Sequence, residues 1–175
     1  MKIIIAGAGD VGSHLAKMLS NEYHDLTIID NDEGRLNRVS ESADVITIFG
    51  SPTSITTLSQ AGAAYADLFI AVSPAQEQDV NIISSLLAKK MGSTRVTARI
   101  NNDEYLQNDN KILFTEMGID LLFYPEKIAS HEITDLLKQT GTSEFMDFSA
   151  GKLQLIVFRL DDGAPLIDKV LGALT

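Results

Sequence analysis

Lys2-Ile3-Ile4-Ile5-Ala6-Gly7-Ala8-Gly9-Asp10-Val11-Gly12 opens the chain with a β-branched apolar run that breaks into a G-x-G-x-x-G turn. By itself such a glycine pattern is a weak signal, and its surroundings give it meaning. Val11, Leu15, Met18 and Leu19 follow at helical spacing. A second apolar run, Leu26-Thr27-Ile28-Ile29-Asp30, then ends on an acid eighteen residues after Gly12, the interval of a dinucleotide-binding βαβ unit. In such a unit Gly7 permits the tight turn, Gly9 lets the backbone approach a pyrophosphate, and Gly12 lets the helix pack on the sheet. The helix N-terminus offers unpaired N–H groups and a partial positive charge to the phosphates. Asp30 would accept hydrogen bonds from ribose hydroxyls and repel a 2′-phosphate, which favours NAD(H) over NADP(H).

The chain beyond Asp30 repeats the alternation. Asn31-Asp32-Glu33 suits a helix start, with Leu36 and Val39 on its apolar side and Arg35 within reach of an adenosine. A third strand is expected over 45–49, followed by Gly50-Ser51-Pro52-Thr53, where Ser51 suits a cap and Pro52 the first helical position. The run 67–72 is apolar enough for a central parallel strand, and Ser73-Pro74 marks its end. A helix over 75–91 carries Glu77 and Asp79 in its first turn and Lys89-Lys90 in its last; its stripe of Val80, Ile83, Leu86, Leu87 and Met91 is expected to face the sheet. Further strands are expected over 95–100 and 119–123, with a helix ending at Met117-Gly118 between them.

Six strands alternating with helices predict an α/β fold, a doubly wound parallel sheet of Rossmann-like type. Ligands of such sheets sit outside the carboxyl ends of the strands, where strand order reverses. That places Gly7, Ala8, Gly9, Asp10, Val11, Asp30, Asn31, Gly50, Ser51, Ser73, Pro74 and Arg99 around one cleft, with Pro125-Glu126 nearby. Arg99 stands out as a cation near the end of an apolar strand in an acidic chain. After Leu137 the pattern changes: 144–148, a turn at Ala150-Gly151 and 152–160 predict a strand pair, and Leu166, Ile167, Val170 and Leu171 open an amphipathic helix. The expected division is therefore a nucleotide-binding domain over 1–140, with 141–175 supplying linker strands and the start of a small C-terminal α+β lobe. The chain is expected to be the front part of a longer protein.

Composition narrows the function. No run of eighteen apolar residues predicts a membrane-spanning helix, and Met1-Lys2-Ile3 enters the first strand directly, unlike a signal peptide. With no cysteine among 175 residues, thiol chemistry, disulfides and cysteine metal sites are excluded, and the cytoplasm is the expected compartment. A formal charge of −10 argues against a nucleic-acid partner, which would need clustered cations. No HExxH, GxSxG or P-loop pattern occurs, and His14, His24 and His131 fall on separate elements. A site that holds a dinucleotide without catalytic residues suits a sensor; the rival reading is the cofactor half of an NAD-dependent dehydrogenase.

Taken together, 3–12, 27–30, 67–73, Ala98-Arg99-Ile100, Pro125-Glu126 and the later Gly163-Ala164-Pro165-Leu166-Ile167 resemble the N-terminal domain of the TrkA family of KTN/RCK regulators of potassium transport. The resemblance implies a non-enzymatic cytoplasmic subunit that binds NAD(H), with ATP or ADP in some members. It implies homo-oligomers, dimers and tetrameric assemblies, docked on an integral membrane potassium transporter subunit of the TrkH/TrkG kind at the inner face of the plasma membrane. Carried over by position, the nucleotide would touch Gly7 to Val11, Asp30, Ser73, Pro74 and Arg99. ATP-responsive relatives tend to have Arg where this chain has Asp10, which favours NAD(H) here. Gly50-Ser51-Pro52-Thr53 departs from the Gly-Asp/Asn-Ala-Thr usual at that strand end. Glu126 falls where certain relatives hold a divalent cation between subunits, but a lone carboxylate is a poor site and no metal is expected.

Overall fold

A computed structural model describes residues 1–138, 144–148, 153–157, 160 and 163–164. Six strands, β1 (Lys2–Ala6), β2 (Asp25–Asp30), β3 (Ile46–Phe49), β4 (Leu68–Ala71), β5 (Arg95–Arg99) and β6 (Leu121–Phe123), form one sheet in the order β3-β2-β1-β4-β5-β6. Every pairing in it is parallel. The expected doubly wound architecture is the one found: the chain winds from β1 out to β3, then returns to β4 on the other side of β1. Ile5 accordingly lies opposite Ile28 on one side and Ile70 on the other.

Helices α1 (Asp10–Ser20), α2 (Glu33–Ser40), α3 (Ile55–Gln60), α4 (Gln78–Met91) and α5 (Asn108–Met117) lie between the strands. Because side chains alternate along a strand, a sheet covered on both faces needs apolar residues throughout. Ile4, Ala6, Ile29, Phe69 and Val96 join Leu58, Ala88 and Phe114 on one face. On the other, Ile3, Ile5, Ile28 and Val72 join Ala16, Leu36 and Val39. Ile3, Ile4 and Ile5 are at most 2% exposed, and each such burial contributes about 1.5–3 kcal/mol.

Four local expectations are corrected. Ser51 and Pro52 do not open a helix: they form a turn, and Ser54 caps α3, its Oγ accepting the Thr57 N–H at 3.3 Å. Helix α4 starts at Gln78, after a separate 3-10 turn over Ala75–Glu77. Leu86, Leu87 and Met91 of the expected apolar stripe pack against the core, but the fully buried side is Asn81, Ser84, Ser85 and Ala88, and Ile83 of that stripe is 48% exposed. Met18 likewise points to solvent from α1. Small residues win these positions because α4 lies close on the strands, and the two hydroxyls find carbonyl acceptors: Ser84 Oγ donates to the Asn81 carbonyl within α4 and Ser85 Oγ to the Thr97 carbonyl of β5.

The chain separates into two compact units, Met1–Glu126 and Lys127–Thr175, the break falling inside α6 (Pro125–Lys138). In the second unit β7 (Glu144–Phe148) pairs antiparallel with β8 (Leu153–Val157), from Glu144 opposite Val157 to Phe148 opposite Leu153. The turn expected at Ala150-Gly151 and the helix expected from Leu166 lie outside the described residues. Among the described residues no helix is long and apolar enough to cross a membrane.

Candidate functional site

The turn after β1 is built by close approach. Gly7 has φ 111°, donates its N–H to the Ile29 carbonyl at 2.8 Å, and an added Cβ there would sit 2.6 Å from the Ser73 nitrogen. At Gly12 a Cβ would lie 1.8 Å from the Gly7 carbonyl oxygen, so α1 rests directly on the turn that precedes it. Gly9 differs: nothing lies within 4 Å of a Cβ placed on it. It stands at the N-cap of α1 without a side-chain acceptor, which leaves the first amides of the helix facing outward.

Asp30 closes β2 beside this turn and is 4% exposed. Its Oδ2 accepts the Ala8 N–H at 2.6 Å and its Oδ1 accepts the Asp32 N–H at 2.8 Å. Arg35 Nη1 lies 3.8 Å from Asp30 Oδ2, and Arg35 Nε 3.6 Å from Asp32 Oδ2. The carboxylate is thus a brace between β2, the glycine turn and the start of α2, as well as a group facing the cleft. The Ala8 amide is already spent on it, so the turn presents its donors from Gly9 onward.

Two cavities open at the carboxyl ends of the strands, with Arg35 in the walls of both. The larger, about 410 Å³, is lined by Ala8, Gly9, Asp10 and Val11 on one side and Pro74, Arg99 and Glu126 on the other. The smaller, about 220 Å³, is lined by Asp30, Asn31, Ser51, Pro52, Ser73 and Glu77 among others. Of the twelve residues expected at the cleft, ten line one cavity or the other. Gly7 and Gly50 line neither: Gly7 lies beneath the turn, and Gly50 donates its N–H to the Asp30 carbonyl at 2.9 Å. Arg38, Gln76 and Glu77 line the cavities without having been expected there. For Arg38 a signal existed, since it stands one helical turn after Arg35 and so on the same side of α2. His14, His24 and His131 line neither cavity.

Charge in the larger cavity runs against that of the chain. Arg35, Arg38 and Arg99 face Asp10 and Glu126, three cations to two carboxylates, in a protein of formal charge −10. The Arg99 side chain is 12% exposed, pairs through Nη2 with Glu126 Oε1, and keeps a buried Nε without a hydrogen-bond partner. An orphan buried donor is costly unless something accepts from it. The open space over Gly9, the outward amides of α1 and the Arg99 guanidinium in the cavity wall suit an anion such as a phosphate, and Asp30 with Asn31 can accept from hydroxyl groups. Among the described residues no group of His, Asp and Glu could hold a metal ion.

A parallel sheet wound to both sides of β1, with a glycine turn at the point of reversal, defines a Rossmann-like α/β domain. The TrkA-N domain family matches residues 3–125, and the chain belongs to that family. It is 38% identical over 175 residues to the Trk system potassium uptake protein TrkA homolog of Archaeoglobus fulgidus, an alignment covering 99% of this chain and 39% of that protein. The chain therefore spans about two-fifths of that relative's length. The TrkA-N domain of the inner membrane protein ybaL from Escherichia coli shares the fold at 20% identity and a TM-score of 0.65, covering 78% of this chain and 96% of that one. The GsuK channel bound to NAD does so at 19% identity and a TM-score of 0.57, covering 69% of this chain and 21% of that one.

Proposed function

We propose that this chain is the nucleotide-sensing part of a regulatory subunit for potassium uptake, and that its ligand is NAD(H). The observation that carries the reading is the convergence of the open glycine turn, Asp30 and Arg99 on two adjoining cavities of about 410 and 220 Å³. Together they fall in the range of small-molecule sites, and their division at Arg35 matches a ligand of two halves joined by phosphates. In this reading Gly9, Asp10, Val11 and Ser73-Pro74 flank the pyrophosphate, Asp30 and Asn31 take the adenosine ribose, and the Arg99 guanidinium in the wall of the larger cavity faces the phosphates. Ser51 lines the adenine side and Gly50 supports it from behind. ATP and ADP are the weaker candidates, since Asp10 sets a carboxylate where a terminal phosphate would extend. Two observations support the family's role in this chain: its similarity to a potassium uptake protein and the NAD held by a channel of the same fold.

Regulation, not hydride transfer, is the function proposed. What favours regulation is the kind of protein the chain resembles, a potassium uptake protein and the RCK domain of GsuK. Residues 1–140 form the sensing domain and 141–175 begin a small C-terminal regulatory lobe. The full-length protein assembles with copies of itself and with a membrane potassium transporter subunit of the TrkH/TrkG kind, which holds it at the inner face of the membrane. For a nucleotide to bias that partner it must bind two states unequally, and couplings of about 1–3 kcal/mol are typical. The test is calorimetric titration with NADH, NAD⁺, ATP and ADP. Saturable NADH binding tighter than ATP is the expected result. No binding of any of the four, or oxidation of NADH by the intact protein at the expense of a carbonyl compound, would overturn the reading.

A further inference from the structure

The side of α4 that faces the sheet holds a wholly buried amide that lines neither cavity. Asn81 is 0% exposed. Its Oδ1 accepts the Ser73 N–H at 2.8 Å, and its Nδ2 donates to the Ser73 carbonyl and to the Arg99 carbonyl, both at 3.1 Å. The ladder between β4 and β5 ends at Ala71 opposite Ala98. Past that pair the two strand ends part, one toward Ser73-Pro74 and the other toward Arg99. Asn81 takes over where the ladder stops, with one planar group bonded to both ends. Ser73 lines the smaller cavity and Arg99 the larger.

We infer that Asn81 is a positioning residue for the nucleotide: it fixes the spacing between the Ser73 and Arg99 walls, and so the place from which the Arg99 guanidinium meets the ligand. The inference rests on the NAD(H) reading above. An apolar side chain of similar size would fill the same space but leave the Ser73 N–H and two carbonyls without partners. Gln78 and Asn101 reinforce the join from outside, Gln78 Oε1 accepting the Asn101 N–H at 3.2 Å and Asn101 Nδ2 donating to the Ala75 carbonyl at 2.6 Å. Ser85 supplies the contrast. It lies on the same face of α4 but bonds the Thr97 carbonyl in mid-strand, within the ladder and away from both cavities.

The experiment measures NADH affinity and thermal midpoint for the 175-residue chain carrying Asn81→Ala, Asn81→Ser, Arg99→Gln, Ser85→Ala and the Asn81→Ser/Arg99→Gln pair. Asn81→Ser is expected to weaken NADH by about tenfold in the parent and by less than about twofold once Arg99 is Gln, because neighbours that act through one contact are not additive. Ser85→Ala is expected to lower the midpoint and leave affinity within about twofold. Equal losses from Asn81→Ser in both backgrounds would make Asn81 a packing residue only and overturn the inference. Should both Asn81 variants fail to fold, hydrogen exchange at the Ser73 amide of the unaltered chain decides. Slowing by about tenfold or more on saturation with NADH supports the join, and unchanged exchange overturns it. An unaltered chain that binds no NADH overturns the nucleotide reading and this inference with it, whereas NADH binding indifferent to Asn81 overturns the inference alone.

Discussion

Two glycines of one turn separate folding from binding. At Gly12 an ideal Cβ falls 1.8 Å from the Gly7 carbonyl oxygen and 3.3 Å from Val72 Cγ2. Carbon and oxygen settle at roughly 3.3 Å or more, so Gly12→Ala obliges α1 to back away by over about 1 Å. Overpacking costs typically about 1–3 kcal/mol, and a backbone partner that cannot rotate aside puts this case at the upper end. In a chain of this length about 3 kcal/mol lowers the thermal midpoint by roughly 6–12 °C. Gly9→Ala starts from φ −71° and ψ −169°, backbone that any residue adopts, with nothing within 4 Å of the new methyl. Alanine is a poorer N-cap than glycine by about 0.5–1 kcal/mol, and the stiffer unfolded chain returns about 0.4–1 kcal/mol. The midpoint should therefore stay within about 2 °C of the parent. The methyl stands in the larger cavity, where the phosphates are proposed to lie, so NADH affinity should fall at least about tenfold, or 1.4 kcal/mol. Thermal unfolding and calorimetry on the two variants check both halves. A Gly9→Ala protein that binds NADH as the parent does, or a Gly12→Ala protein with an unchanged midpoint, would refute the reasoning.

Other perturbations follow from the same geometry. Asp30→Asn keeps one acceptor and turns an NH₂ toward one of the two N–H groups now bonded, from Ala8 or Asp32. It should cost about 1–3 kcal/mol of stability together with NADH affinity, and denaturation plus calorimetry showing neither loss would contradict the bracing role. Glu126→Gln removes the carboxylate that shares Arg99; since Glu126 is half exposed, NADH affinity should rise only about threefold, and more at low salt than at high. An affinity that ignores both the substitution and the salt would count against Arg99 as a ligand contact. Asp120 is penalised by burial, but the Val96 N–H at 2.7 Å and the Lys89 ammonium at 2.9 Å outweigh this and hold the carboxyl below its ordinary 3.8. A lowered folded pKa gives stability present above the unfolded value and lost as pH falls through the folded one. The Asp120→Asn protein should therefore be the less stable near neutrality, with the gap closing under acid. Urea unfolding from about pH 7 down to about pH 2 tests this, and a gap constant with pH would refute it.

Much of the sheet could be read directly because its strands are buried on both faces. Ile3-Ile4-Ile5 and Leu26 to Ile29 leave no solvent-facing alternative. The glycine turn and Asp30 marked the switch point for the same reason: each residue type answers a geometric demand that few others meet. Helix orientation was less legible. Leu86, Leu87 and Met91 of the expected stripe do pack on the core, yet close approach of α4 to the strands reserves full burial for Asn81, Ser84, Ser85 and Ala88 and leaves Ile83 exposed, and only the three-dimensional distance decides between them. Ser51 and Ser54 both have capping chemistry, and the turn that Gly50 opens selects the second. Arg38 shares a side of α2 with Arg35, a spacing visible in the sequence, but whether that side faces a cavity depends on the neighbouring element.

The brace made by Asp30 bears on attempts to redesign coenzyme choice. The customary route toward a phosphorylated adenosine is to replace the acid at the second strand end. Here that exchange would also untie Ala8 and Asp32, slackening the turn on which the proposed nucleotide would rest. Selectivity in this scaffold is better altered from Asn31 or Arg35, which border the same cavity without stitching the main chain together through their side chains.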